Sequence, residues 1–180
     1  MNKYLIHIIE EQITVGFTGR INILDKFSKQ LLGHILIDEG ILTHIAYNKA
    51  KGFKALVSLV IDENIDKPLD FIVEPEMIED AERSIHFPFS NLKEKLTKAL
   101  AEFKEIKDKR PPNGIKILLN PEILSSEEEI DDVEFSLMCT ISDVNKIEEI
   151  YTNSPLLEYE ITKCLVTLRK KNALKVVGTK

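Results

Sequence analysis

Cysteine is scarce in this 180-residue chain: Cys139 and Cys164 are the only two. That excludes a disulfide scaffold and a C-x-x-C zinc site. Positive charge is also short, 24 Lys plus Arg against 30 Asp plus Glu, net -6. A generic nucleic-acid coat needs the opposite balance. Arginine supplies only four of the 24 basic residues, so the side chain best suited to bidentate phosphate and guanine contacts is nearly missing. Tryptophan is absent. No apolar run reaches membrane-spanning length, so no membrane insertion is expected. The region after Met1 lacks a basic start followed by an apolar core, so no signal peptide is read and the expected address is bacterial-type cytoplasm.

What is present is enough for a folded core: 43% hydrophobic and 30% charged residues lie outside the disordered range. Ile (24) outnumbers Leu (21), a bias that an AT-rich genome also produces, so Ile alone is not read as strand. Tyr4, Leu5, Ile8 and Ile9 have helical spacing. Phe17, Gly19, Ile21 and Ile23 alternate as a strand. Residues 33–38 and 41–46 read as a hairpin around Asp38-Glu39-Gly40, with Gly40 supplying a positive φ. Residues 51–61 return to helical spacing, and 69–73 form a further strand. Residues 90–108 read as a long amphipathic helix, with Asn91 and Glu94 as its capping box. Pro111-Pro112-Asn113-Gly114 marks a boundary. In the tail, helices near 130–141, 144–152 and 156–171 precede a short strand at 174–177. Ser154-Pro155 is placed as N-cap and first-turn proline of the third helix. Helix, helix, turn, helix, strand is the order of a winged helix-turn-helix.

The stretches Thr18-Gly19-Arg20-Ile21-Asn22-Ile23, Gly33-His34-Ile35-Leu36-Ile37-Asp38-Glu39-Gly40-Ile41-Leu42-Thr43-His44-Ile45-Ala46 and Gly52-Phe53-Lys54-Ala55-Leu56 resemble the PATAN-like family of bacterial domains. Its pattern is a tGxL strand, a GxIxFxxGxLvxA hairpin and a GxxAl helix start. The resemblance covers residues 1–78; longer members also carry a winged-helix-like unit. It implies a link to bacterial signalling and motility control through protein interaction. This chain departs from the pattern in lacking a receiver domain.

The expected fold class is α+β: a small antiparallel sheet with flanking helices, followed by a small winged-helix-like helical unit. The parts are a PATAN-like domain at 1–80, a connecting helix and linker at 81–120, and the winged-helix-like unit at 121–180. The glycines read as turn residues rather than a phosphate cradle, which needs them clustered between a strand and a helix.

Catalytic chemistry finds no carrier. No nucleophile is tied to a base, and Cys139 and Cys164 read as small buried hydrophobes. His34 and His44 sit in the two hairpin strands. A three-residue loop puts them on one face, and a two-residue loop puts them on opposite faces. Either way they are only two ligands, with no Cys or carboxylate at ligand spacing, so no metal site and no cofactor are expected. His7 reads as a helix-surface residue and His86 as a loop residue.

The expected function is non-enzymatic, an adaptor or regulator binding another protein, with a homodimer left open. The candidate partner-binding residues are Phe87 and Phe89, which flank Pro88 after an acidic stretch, and Asp38 and Glu39, on what reads as an exposed hairpin edge. The alternative is a DNA-binding transcription regulator using Arg169, Lys170 and Lys171. Against it, the first turn of that helix carries Glu158 and Glu160, where base readout would require contact with DNA.

Overall fold

The computed structural model describes residues 4–78, 88–125 and 128–177. The chain is α+β. Two compact units divide after Ala101: Met1–Ala101 and Glu102–Lys180.

The first unit is built on a five-stranded antiparallel sheet. Its strands are β1 (Gly19–Asp25), β2 (Leu31–Asp38), β3 (Ile41–Tyr47), the two-residue β4 (Ala50–Lys51) and β5 (Leu69–Pro75), in the spatial order β4-β3-β2-β1-β5. Helices α1 (Tyr4–Thr14) and α2 (Gly52–Asn64) complete it, with the first part of α3 (Phe89–Ile106). One sheet face is the core. Ile21 pairs with Ile35, which pairs with Ile45; all three are fully buried, as are Leu5 and Ile9 of α1 and Leu56 and Leu59 of α2. Burying an Ile or Leu side chain stabilises by roughly 1.5–3 kcal/mol, so this row dominates the unit. Gly33 has a plain steric cause: a Cβ there would run into the Ala46 carbonyl and the Tyr47 Cα across the strand pair.

The β2–β3 turn has two residues, because Asp38 pairs with Ile41. Both Glu39 (φ 47°) and Gly40 (φ 76°) are left-handed, as a type I′ turn demands. The loop is therefore one residue shorter than the three-residue reading of Asp38-Glu39-Gly40.

α3 begins at Phe89, so Asn91 lies inside it and is not its cap; its N–H donates to the Pro88 carbonyl instead. Leu92, Leu96, Ala99 and Leu100 are buried as the spacing requires.

The second unit pairs β6 (Lys116–Leu119) with β7 (Leu174–Val177), antiparallel, around α4 (Asp132–Asp143), α5 (Ile147–Asn153) and α6 (Glu158–Lys170). Its core joins Ile117, Leu137, Ile141, Ile147, Ile150, Ile161, Leu165 and Leu168. α4 opens on a reciprocal capping box: Asp131 accepts from the Glu134 N–H at 2.7 Å, and Glu134 accepts from the Asp131 N–H at 3.1 Å. α6 starts later than expected, at Glu158. Ser154 Oγ accepts from the Leu156 N–H at 3.2 Å and so closes a local turn after α5 rather than capping α6. The Glu160 carboxylate reaches back to the Leu157 N–H at 2.8 Å. Cys164 is buried, with its thiol pushed up to about 12 by burial. Cys139 is exposed, contrary to expectation. The α4 stripe runs through Glu134, Leu137, Met138 and Ile141, and Cys139 falls off it. Among the described residues no helix is long and apolar enough to cross a membrane.

Candidate functional site

Hairpin register decides what the sheet offers to solvent. Leu36 pairs with His44, but Ile37 pairs with Leu42, so Thr43 is an extra residue in β3. This is a β-bulge. The Thr43 hydroxyl donates to the Leu36 carbonyl at 3.2 Å. Leu42 and Ile45, three apart, consequently share the core face. His44 turns to the opposite face and stacks on His34, with ring centroids 5.4 Å apart and planes inclined by 22°. The two-residue loop alone would have separated them; the bulge reverses the parity.

The same face carries Arg20 and Asn22 of β1, with Ile72 and Glu74 of β5 beside them, by register. Asn22 Nδ2 donates to Glu74 Oε2 at 2.6 Å. Arg20 makes a fork to the Glu76 carboxylate, at 2.6 and 3.2 Å. These groups are partly exposed, while Leu36 among them is fully buried.

The second candidate is the β2–β3 turn itself. It is pinned at three points: the Glu39 N–H donates to Thr18 Oγ1 at 2.8 Å, Thr18 Oγ1 donates to Asp38 Oδ1 at 3.5 Å, and the Gly40 N–H donates to the Phe17 carbonyl at 2.9 Å. A Cβ on Gly40 would meet the Ile13 carbonyl at 2.7 Å, so the turn rests against the end of α1. Two exposed large apolar residues adjoin these anchoring points in the chain: Ile41, at 59% exposure, follows Gly40, and Val15, at 70%, precedes Gly16, whose Cα would lie 3.2 Å from a Cβ on Gly40. The acids Asp38 and Glu39 lie between them in the chain. Neither Val15 nor Ile41 stood out in the sequence. The sequence assigns Val15 to no element, and Ile41 opens the run 41–46 that reads as a strand; the structure leaves both exposed.

Of the other nominated residues, Phe87 lies outside the described residues, and Phe89 is half-buried as the first residue of α3. Asp38 and Glu39 are at a hairpin tip rather than along a sheet edge, since β2 is flanked by β1 and β3. Arg169 and Lys170 are exposed in the last turn of α6. Lys171 is engaged: its Nζ donates to Glu134 Oε2 at 2.7 Å and to the Glu129 carbonyl at 2.5 Å. Its pKa is raised, first by the Glu134 hydrogen bond. Arg110 is likewise structural, with its guanidinium 4.2 Å from the Tyr151 ring centroid and paired with Glu158 at 2.8 Å.

A Tyr47–Asp62–Lys67 cluster and a buried Glu63 are also built into the first unit. Tyr47 donates to Asp62 Oδ2 at 2.7 Å, and Lys67 Nζ reaches both, at 2.6 Å to the carboxylate and 3.2 Å to the phenol. Burial first, and the Asp62 hydrogen bond second, push the phenol up to about 12, so it stays a neutral donor that braces α2 on β3. Glu63 is buried; its Oε1 accepts from the Leu5 N–H at 2.9 Å, and its Oε2 has no partner among the described residues. Burial raises its pKa. Among the described residues no three His, Cys, Asp or Glu side chains converge as a metal cluster.

In comparisons with known proteins, no family model matches the chain, and neither a curated protein nor a solved structure matches it.

Proposed function

We propose that this chain is a non-enzymatic adaptor or regulator that binds another protein through the pinned β2–β3 turn. The observation that carries the reading is a turn held by three hydrogen bonds, followed directly by exposed Ile41 and resting against the end of α1, after which exposed Val15 lies. A fixed turn loses little conformational entropy on binding. Apolar side chains beside Asp38 and Glu39 fit a partner with an apolar pocket and a basic rim, since complementary charge steers and orients encounter. The setting in bacterial signalling or motility rests on the PATAN-like resemblance.

DNA binding by the winged-helix-like unit is the weaker reading. Lys171 is committed to Glu134 and Glu129, which leaves Arg169 and Lys170 as the basic tip of α6.

Capture from the native organism, followed by a binding measurement with the purified captured protein, tests the proposal. Loss of binding in the Val15→Ser, Ile41→Ser double variant supports it. Undiminished binding in that variant overturns it.

A further inference from the structure

We propose that the β6–β7 sheet of the second unit takes an extended acidic peptide, added as a further strand along β7. This stands independently of the β2–β3 turn, which belongs to the other unit.

Register brings three lysines from three chain segments onto one face. Lys116 of β6 pairs with Val177 of β7, and Leu118 with Lys175. On its other side Lys116 is bridged antiparallel to Lys146. The Ile117 N–H donates to the Asn145 carbonyl at 2.8 Å and the Ile147 N–H to the Ile115 carbonyl at 3.0 Å, so these bonds straddle the bridge. Lys116 and Lys146 are therefore a non-hydrogen-bonded pair, the closer kind, with Cα atoms about 4.5 Å apart. Partners across an antiparallel pair share a face, as do residues two apart on a strand. Lys146, Lys116 and Lys175 thus share one face with Leu118 and Val177, and all five are exposed.

Like charges directly opposite each other oppose folding, and the fold offsets little of this. Lys146 has Glu149 at 3.2 Å, while Lys116 and Lys175 have no ion pair among the described residues. A lysine on an edge strand can serve merely to discourage pairing. That accounts for Lys175 alone, because Lys116 lies on an inner strand between β7 and the 145–147 segment. In a chain of net charge -6, this face fits an anion supplied from outside.

β7 provides the rest of the site. Among the described residues it pairs with β6 only, so its outer edge keeps backbone donors and acceptors for another strand. Its opposite face carries Val176, 59% exposed although its partner Ile117 is buried. An added strand of alternating acidic and apolar residues sets its acids beside Lys175 and its apolar side chains beside Val176. A phosphate backbone would answer the lysines and leave Val176 bare, which favours a peptide over a nucleic acid.

The test adds a labelled octapeptide alternating glutamate and valine to the purified full chain, read by fluorescence anisotropy and by the backbone amide resonances of the wild-type protein. The expected result is saturable binding that weakens with added salt. The amide signals of residues 174–177 should shift most, and their hydrogen exchange should slow. Lys116→Glu with Lys175→Glu should weaken binding by about tenfold or more, while Arg169→Ala with Lys170→Ala should leave it unchanged. The wild-type amide signals keep the test decisive even if the charge-reversed variant fails to fold. Absence of saturable binding, equal binding of a peptide alternating lysine and valine, shifts centred on another strand edge such as β5, or binding of random duplex in place of the peptide would overturn the site.

Discussion

The Thr43 hydroxyl donates to the Leu36 carbonyl at 3.2 Å, from the one residue of β3 that has no partner in β2. That bond closes the bulge, and the bulge brings His34 and His44 onto one face. Thr43→Val keeps the shape and removes the donor. Unfolding in urea should show a loss of about 1 kcal/mol, the ordinary net worth of one hydrogen bond. No loss would mean that the bulge is held by packing alone.

Glu39 sits at φ 47°, a left-handed conformation that costs a residue with a Cβ roughly 1–2 kcal/mol. Glycine has no such penalty but loses more chain entropy on folding, about 0.4–1 kcal/mol. Glu39→Gly should therefore stabilise the protein by about 0.5–1 kcal/mol, seen as a higher urea midpoint at unchanged slope.

Glu63 gives a pH signature. Its folded pKa is raised by burial, so between the ordinary carboxylate value and the raised one the folded state holds more protons than the unfolded state. Stability must then fall as pH rises through that window and level off above it. Glu63→Gln should remove this component from the stability–pH curve. An unchanged curve would mean that Oε2 is solvated or paired after all.

Lys171 and its neighbours in α6 should separate cleanly. Lys171→Met strips the buried Glu134 carboxylate of its cation and should lower the melting temperature. Arg169→Ala with Lys170→Ala touches exposed side chains only and should leave it nearly unchanged, since such surface changes stay within about 0.5 kcal/mol. Retarded migration of random duplex by the wild type, lost in the Arg169, Lys170 variant, would favour the DNA reading instead.

Long-period patterns were legible in the sequence. The stripe Leu92, Leu96, Ala99, Leu100 gave α3, and the alternation of Ile21 and Ile23 gave β1. Single-residue events were not. The bulge at Thr43 breaks alternation by one position, and nothing in Leu42-Thr43-His44 announces it. Asn91 and Ser154 are both good caps by type. Asn91 lost that role because α3 already starts at Phe89, and Ser154 because α6 starts only at Glu158, leaving its hydroxyl to accept from the Leu156 N–H. Cys139 was misplaced because it adjoins the buried stripe without lying on it. The candidate surface was half legible: Asp38 and Glu39 came from the turn signal, while Val15 and Ile41 needed the fold.

The most direct test of the adaptor account compares the purified captured protein's affinity for three chains: wild type, Val15→Ser with Ile41→Ser, and Phe27→Ser. Phe27 is the control, an even more exposed apolar side chain, at 81%, on the separate β1–β2 turn. The account predicts that the Val15, Ile41 variant loses about tenfold or more in affinity, or about 1.4 kcal/mol, with its melting temperature preserved. The Phe27 variant should bind like wild type. Loss of binding in the Phe27 variant with full binding in the Val15, Ile41 variant would contradict it.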